Sequence, residues 1–242
     1  GVLAVTALMG LAACGNSSTG GSTSGNTTTG GNTSAGGTSS SEESDELLGS
    51  SSATIRLKVG TTTAPDGHYV LGLIEMQKLL EEYSGGEMTL DIYPNSALGN
   101  ESDMMNSVSM GMQEMALVST GPIPAFATST ANWSVLDLPY LFDSAEHAYE
   151  VLDGEVGQTL LNGFNGTGIK AIGFWENGFR EVTNNTKEIV NPSDLAGMKI
   201  RTMENPVHMA TYEALGATPT AMAWGEIFSA LQQGTVDGQE NP

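Results

Sequence analysis

The sequence contains a single cysteine, Cys14, which excludes a disulfide within the chain and any cysteine-based zinc site. Its histidines, His68, His147 and His208, are far apart and lack metal-ligand spacing, so no metal and no cofactor are predicted. Basic residues are also scarce. Eight Lys and Arg stand against 28 Asp and Glu, a formal net charge of −20. Nucleic acid is therefore a poor partner, because phosphate binding needs basic patches. The Gly-x-Ser-x-Gly of a hydrolase nucleophile is missing as well, so an enzyme is not expected. Scarcity has one useful consequence. An anion site must draw on Arg56, Lys58, Lys78, Lys170, Arg180, Lys187, Lys199 or Arg201, on backbone N–H groups, or on a bound cation.

Residues 1–13 are mostly apolar and end in small residues. The run has the length of a signal-peptide core and is too short to span a bilayer. Neither an initiator Met nor a basic flank is present, which predicts further residues upstream, Lys or Arg among them. Residues 15–52 are Gly, Ser, Thr and Asn with almost no apolar content. They cannot bury enough surface to offset chain entropy, so 14–53 is expected to be a cysteine followed by a flexible tether. A coil of that length spans about 35 Å root-mean-square.

From residue 54 the pattern changes. Ile55, Leu57 and Val59 alternate with Arg56 and Lys58, which predicts a strand. A helix is expected over His68–Tyr83, with Val70, Leu73, Met76, Leu80 and Tyr83 on one face, closed by Gly85-Gly86. Strands are expected at 88–93, 114–118 and 168–175, and helices at 101–110 and 144–164. A second unit begins near Asn177, with strands near 180–183, 198–202 and 235–240 and helices over 206–215 and 226–233. The order is β-α-β-α-β, an α/β fold with parallel pairings. Two lobes follow, residues 54–176 and 177–242, with a ligand cleft where parallel strands end.

Several ordered motifs carry a family resemblance. Tyr93-Pro94-Asn95-Ser96-Ala97-Leu98-Gly99 and Asp137-Leu138-Pro139-Tyr140-Leu141-Phe142 lie in the first lobe. Gly178-Phe179-Arg180, Asp194 through Pro206 with its Lys199-Ile200-Arg201, and Leu215 through Pro242 lie in the second. From about residue 54 onward the chain resembles the DctP-type solute-binding proteins of TRAP (tripartite ATP-independent periplasmic) transporters. That resemblance implies a periplasmic-binding-protein-like fold that closes on a carboxylate ligand. The family continues past this point, so the resemblance also implies that the C-terminal part is missing here. Separately, Leu11-Ala12-Ala13-Cys14 resembles the bacterial lipobox, which implies a lipidated Cys14 and a protein held at the membrane only by its anchor.

The resemblance places the carboxylate grip on Arg201, and the chemistry agrees. A guanidinium fork matches carboxylate geometry and keeps its charge. Arg180 is implied as a second contact or as a support for the first. Asn241 is implied as a hydrogen-bond donor to the ligand, and Trp224 as an aromatic wall or ordinary packing. Ser119 and Thr120 offer hydroxyls on the loop after a buried strand. Thr62 and His68 are weaker candidates. The expected ligand is a small organic anion, a C4-dicarboxylate or a sugar acid. The expected partners are the TRAP permease membrane subunits, outside the cytoplasmic membrane. A sensory module of the same fold is the alternative.

Overall fold

The computed structural model describes residues 2–6 and 47–242. Cys14 and the expected tether up to residue 46 lie outside the described residues.

The first sheet has strand order β3-β2-β4-β1-β5. β2 (Ile55–Gly60), β3 (Met88–Tyr93) and β4 (Met115–Ser119) run parallel. β1 (Val2–Thr6) lies between β4 and β5 (Lys170–Trp175), antiparallel to both. An apolar run suits a leader peptide and a central strand equally, so its sequence does not discriminate between them.

Helices cover both faces of this sheet. α1 (His68–Tyr83) packs through Tyr69, Val70, Leu73 and Ile74 onto Val59, Leu90, Ile92, Met115 and Leu117. The opposite face carries Ala116 and Val118, under α2 (Glu101–Ser109), Trp133 and Phe164. β4 is thus buried on both sides, which explains its unbroken apolar run. Each large side chain buried here contributes about 1.5–3 kcal/mol relative to exposure. Tyr83 departs from the expected face: it is 81% exposed, because the helix rotates Tyr69 and Ile74 inward instead.

Asn100 caps α2 by accepting from the Asp103 N–H at 2.8 Å, and Asp103 reciprocates at the Asn100 N–H. The chain then makes a short helix, α3 (Ile123–Phe126), and a 3-10 stretch over Thr128–Asp137. The expected long helix over 144–164 is two helices, α4 (Ala145–Leu152) and α5 (Glu155–Asn162). Asp153 and Gly154 break it, and Gly157 permits the tight corner. A Cβ at Gly157 would meet the Leu152 carbonyl oxygen at 1.7 Å.

The second sheet has order β6-β9-β7-β8. β7 (Lys199–Thr202) is parallel to β8 (Thr218–Ala221) and to β9 (Gly238–Asn241), while β6 (Glu181–Asn184) is antiparallel to β9. β8 carries Pro219 and is not evident from the sequence. Its edge position tolerates the missing donor. Leu195, Met198, Ile200 and Ala217 form the core beneath, with α6 (Pro206–Ala214) and α7 (Ile227–Gln232) in the connections.

Candidate functional site

The parallel strands set the site. β4 ends at Ser119, β7 at Thr202 and β9 at Asn241, and the loops after β4 and β7 meet. Met203 and Asn205, after β7, reach across to the first lobe. Ser119 Oγ lies 3.8 Å from Met203 Sδ. Asn205 Nδ2 donates to the Gly121 carbonyl at 2.9 Å and to Asp137 Oδ2 at 2.7 Å. The same asparagine caps α6, its Oδ1 accepting from the Val207 N–H at 2.8 Å.

Arg201 is 2% exposed. Its Nε and Nη2 both donate to the Met222 carbonyl, at 2.9 and 2.5 Å. No carboxylate among the described residues forms an ion pair with it. Burial holds its pKa down to about 10, against the pull of Glu240 and Glu101 and with the push of Arg180. An unpaired buried cation costs several kcal/mol. Arg201 is therefore a guanidinium with a neutral partner on one edge and no carboxylate in direct contact among the described residues.

Arg180 is differently placed. Its Nε and Nη2 donate to the Glu240 carboxylate, and Nη2 also reaches the Glu240 carbonyl at 3.0 Å and Asn241 Oδ1 at 3.2 Å. Burial works against its charge, but the bonds to Glu240 outweigh this and raise its pKa. Asn241 in turn donates through Nδ2 to Gln239 Oε1 at 2.7 Å.

A chain of charges runs from Arg180 to the first lobe. Beyond Glu240 comes His208, its Nδ1 3.4 Å from Glu240 Oε1 but not aligned for a hydrogen bond. His208 Nε2 then lies 3.3 Å from Asp137 Oδ1. Asp137 also accepts from Thr120 Oγ1 at 2.9 Å. Burial lowers the His208 pKa, but Asp137 and Glu240 overcome it and raise the imidazole to about 9.

Ser119 is tied to Glu101, whose carboxylate accepts from the Ser119 N–H at 2.6 Å and from its Oγ at 2.8 Å. Burial pushes the Glu101 pKa up, opposed by Ser119, Arg180 and Arg201. Tyr69 stands beside this group, 3% exposed, and its hydroxyl has no hydrogen-bond partner among the described residues. Burial and Glu101 raise the phenol pKa, and Arg180 opposes them.

Arg201, Arg180, Asn241, Ser119 and Thr120 thus come together around three acids and a histidine. The hydrogen-bonded network among the described residues does not extend to Thr62, His68 or Trp224. Thr62 is buried on the loop after β2. His68 is edge-on to Tyr69, ring centroids 4.2 Å apart, and lines an open cleft of about 580 Å³ with Gly72, Trp175, Glu176 and Asn177. Trp224 packs edge-on against Phe228 at 6.0 Å. Asp137 and Glu240 lie within the motifs quoted above without being singled out there, while Glu101 and His208 carry no local signature. A further signal is Glu240's place on the inward side of a short strand.

Comparison with known proteins gives the family. A family model described as bacterial extracellular solute-binding protein, family 7 (DctP), matches residues 59–242. A solute-binding protein of Verminephrobacter eiseniae is 43% identical over 193 residues, covering 80% of this chain and 57% of that protein. The C4-dicarboxylate-binding periplasmic protein DctP of Rhodobacter capsulatus is 35% identical over 191 residues, covering 78% and 56%. A crystal structure of a TRAP periplasmic solute-binding protein from Polaromonas sp. JS666, bound to D-erythronate, superimposes with TM-score 0.74 at 44% identity, covering 78% of this chain and 61% of that one. The chain spans about three-fifths of the length of these relatives.

Proposed function

The chain belongs to the DctP family of bacterial extracellular solute-binding proteins, and from that premise we propose that it captures a small carboxylate-bearing solute through Arg201 for delivery to TRAP permease subunits. The solute is a C4-dicarboxylate or a sugar acid, and the chain binds it without turning it over. One observation carries this reading: a guanidinium buried to 2% exposure, bonded to a carbonyl and lacking an ion-paired acid among the described residues. A carboxylate entering here supplies the missing negative charge and meets planar donors.

Arg180 and Asn241 support the grip by fixing Glu240 and the end of β9. Ser119 and Thr120 hold Glu101 and Asp137 at the facing wall. Thr62, His68 and Trp224 serve as outer contacts of the same ligand. Closing the lobes on a solute would favour the liganded form by contacts to both. Lipidation at Cys14, with a tether in the range 15 to 53 whose end docks on the first sheet, where the Gly49 N–H donates to the Leu90 carbonyl at 3.1 Å, belongs to the same proposal. It would hold the two lobes, residues 54–176 and 177–242, on the outer side of the cytoplasmic membrane. Mass spectrometry of the protein from a lipoprotein-processing host tests it. A diacylglyceryl adduct on Cys14 supports the anchor, and a free thiol removes it.

The test of the grip is thermal denaturation with a panel of organic acids. At a hundredfold excess over Kd, a ligand stabilises the folded state by about 2.7 kcal/mol. Arg201→Ala should abolish the shift, and Arg201→Lys should abolish most of it, since lysine lacks the fork. An undiminished shift in Arg201→Ala would show that the carboxylate sits elsewhere.

A further inference from the structure

The cations of the site differ in what they have left to offer. Arg180 has given two donors to the Glu240 carboxylate. His208 lies between Asp137 and Glu240, so its charge is met from both sides. Arg201 remains, with the Met222 carbonyl as its hydrogen-bond partner. Among the described residues the site therefore presents one guanidinium without an ion-paired acid, and so one place for a carboxylate.

The facing wall has the opposite character. Ser119 holds the Glu101 carboxylate in place through two hydrogen bonds, leaving lone pairs for an incoming O–H. Tyr69, whose phenol feels the Glu101 charge, is 3% exposed, and its hydroxyl has no hydrogen-bond partner among the described residues. Buried hydroxyls ordinarily find partners, and one without a partner is a place for a ligand group. A second ligand carboxylate at this wall would face Glu101. Either the two charges repel, or Glu101 must take up a proton. A ligand hydroxyl has no such conflict, because it donates to Glu101 and exchanges a hydrogen bond with Tyr69.

We propose that the site selects a polyhydroxy monocarboxylate over a dicarboxylate, with Tyr69 and Glu101 meeting the hydroxyl end while Arg201 holds the carboxylate. This rests on the reading of Arg201 given above. It adds two specificity-determining residues and narrows the solute class.

Isothermal titration of the full chain with D-erythronate and with succinate tests it. Both have four carbons, and they differ in whether the far end carries hydroxyls or a second charge. Erythronate should bind more tightly by on the order of tenfold or more. Tyr69→Phe should weaken erythronate by about tenfold without lowering the melting temperature. Glu101→Gln should narrow the gap by strengthening succinate. Equal or tighter succinate binding overturns the inference, as does undiminished erythronate binding in Tyr69→Phe. If both acids bind alike and Arg201→Ala abolishes both, the inference falls and the Arg201 grip stands. If neither acid binds, both fall together. Should Glu101→Gln fail to fold, Tyr69→Phe and the wild-type ratio decide the question.

Discussion

Asp137 Oδ1, in the first lobe, lies 3.3 Å from Nε2 of His208, in the second. Glu240 Oε1 stands 3.4 Å from the other ring nitrogen. The imidazolium is thus held between an acid from each lobe. Its pKa is raised from 6.5 to about 9 in the fold. A group with a raised folded pKa binds its proton more tightly when folded. Its contribution is complete below the unfolded pKa and disappears as pH rises through the folded one. Stability should therefore fall between about pH 6.5 and pH 9, by on the order of 3 kcal/mol. Urea denaturation at a series of pH values reads this directly. In His208→Gln the slope across that window should flatten. An unchanged slope would mean that His208 is not the titrating group.

A second link across the lobes is Asn205, whose Nδ2 donates to Asp137 and to the Gly121 carbonyl. Asn205→Asp preserves the cap of α6, since aspartate is as good a cap as asparagine. It replaces the donor with an oxygen that faces a carboxylate and a carbonyl. The expected loss is about 2–4 kcal/mol, well above the cost of a cap, and should shrink at low pH as the paired acids take up a proton. Equal stability of Asn205→Asp and the parent would show that the contact is absent in solution.

β1 pairs with β4 on one side and β5 on the other, through Val2↔Ser119 to Thr6↔Met115 and Val2↔Trp175 to Thr6↔Lys170. Removal of residues 1–13 would leave two unpaired strand edges, on β4 and β5, facing each other. In this chain, trimming residues 1–13 should lower the thermal midpoint and promote edge-to-edge association, which is what exposed strand edges do. Size-exclusion chromatography with light scattering reads the second effect. A trimmed chain that stays monomeric with an unchanged midpoint would show that β1 is dispensable to the sheet.

Much of the fold is legible in the sequence because its signals are local. α1 and β3 have the bounds expected from periodicity and from the Gly85-Gly86 stop. β8 is hidden by Pro219, which argues against a strand everywhere except at an edge. The break at Asp153-Gly154 is hidden because the apolar spacing of 144–164 continues through it, while a sharp corner at Gly157 depends on a contact with Leu152. Arg201 stands out through its motif and through the scarcity of basic residues. Its lack of an acid does not, because that depends on which of 28 acids the fold brings near. Glu101 is indistinguishable from a solvated acid until α2 brings it against Ser119 at the end of β4, and the role of Glu240 emerges only when β9 sets it against Arg180.

That lack of an acid also predicts a conflict between stability and binding at Arg201. Arg201→Met keeps most of the side-chain volume and removes a buried charge with no ion-pair partner. It also leaves the Met222 carbonyl without its two donors. Losing the bonds to that neutral acceptor costs about 1–3 kcal/mol, while relief of the unpaired charge is worth several. The ligand-free variant should therefore be as stable as the parent or more so, by up to about 2 kcal/mol, and should show no shift with any organic acid. Chemical denaturation in acid-free buffer checks the first half, and the ligand panel checks the second. A large loss of stability would mean that Arg201 is a structural residue whose charge is already met within the fold. Unchanged or improved stability together with lost binding is the pattern of a group kept in an unfavourable state because the ligand completes it.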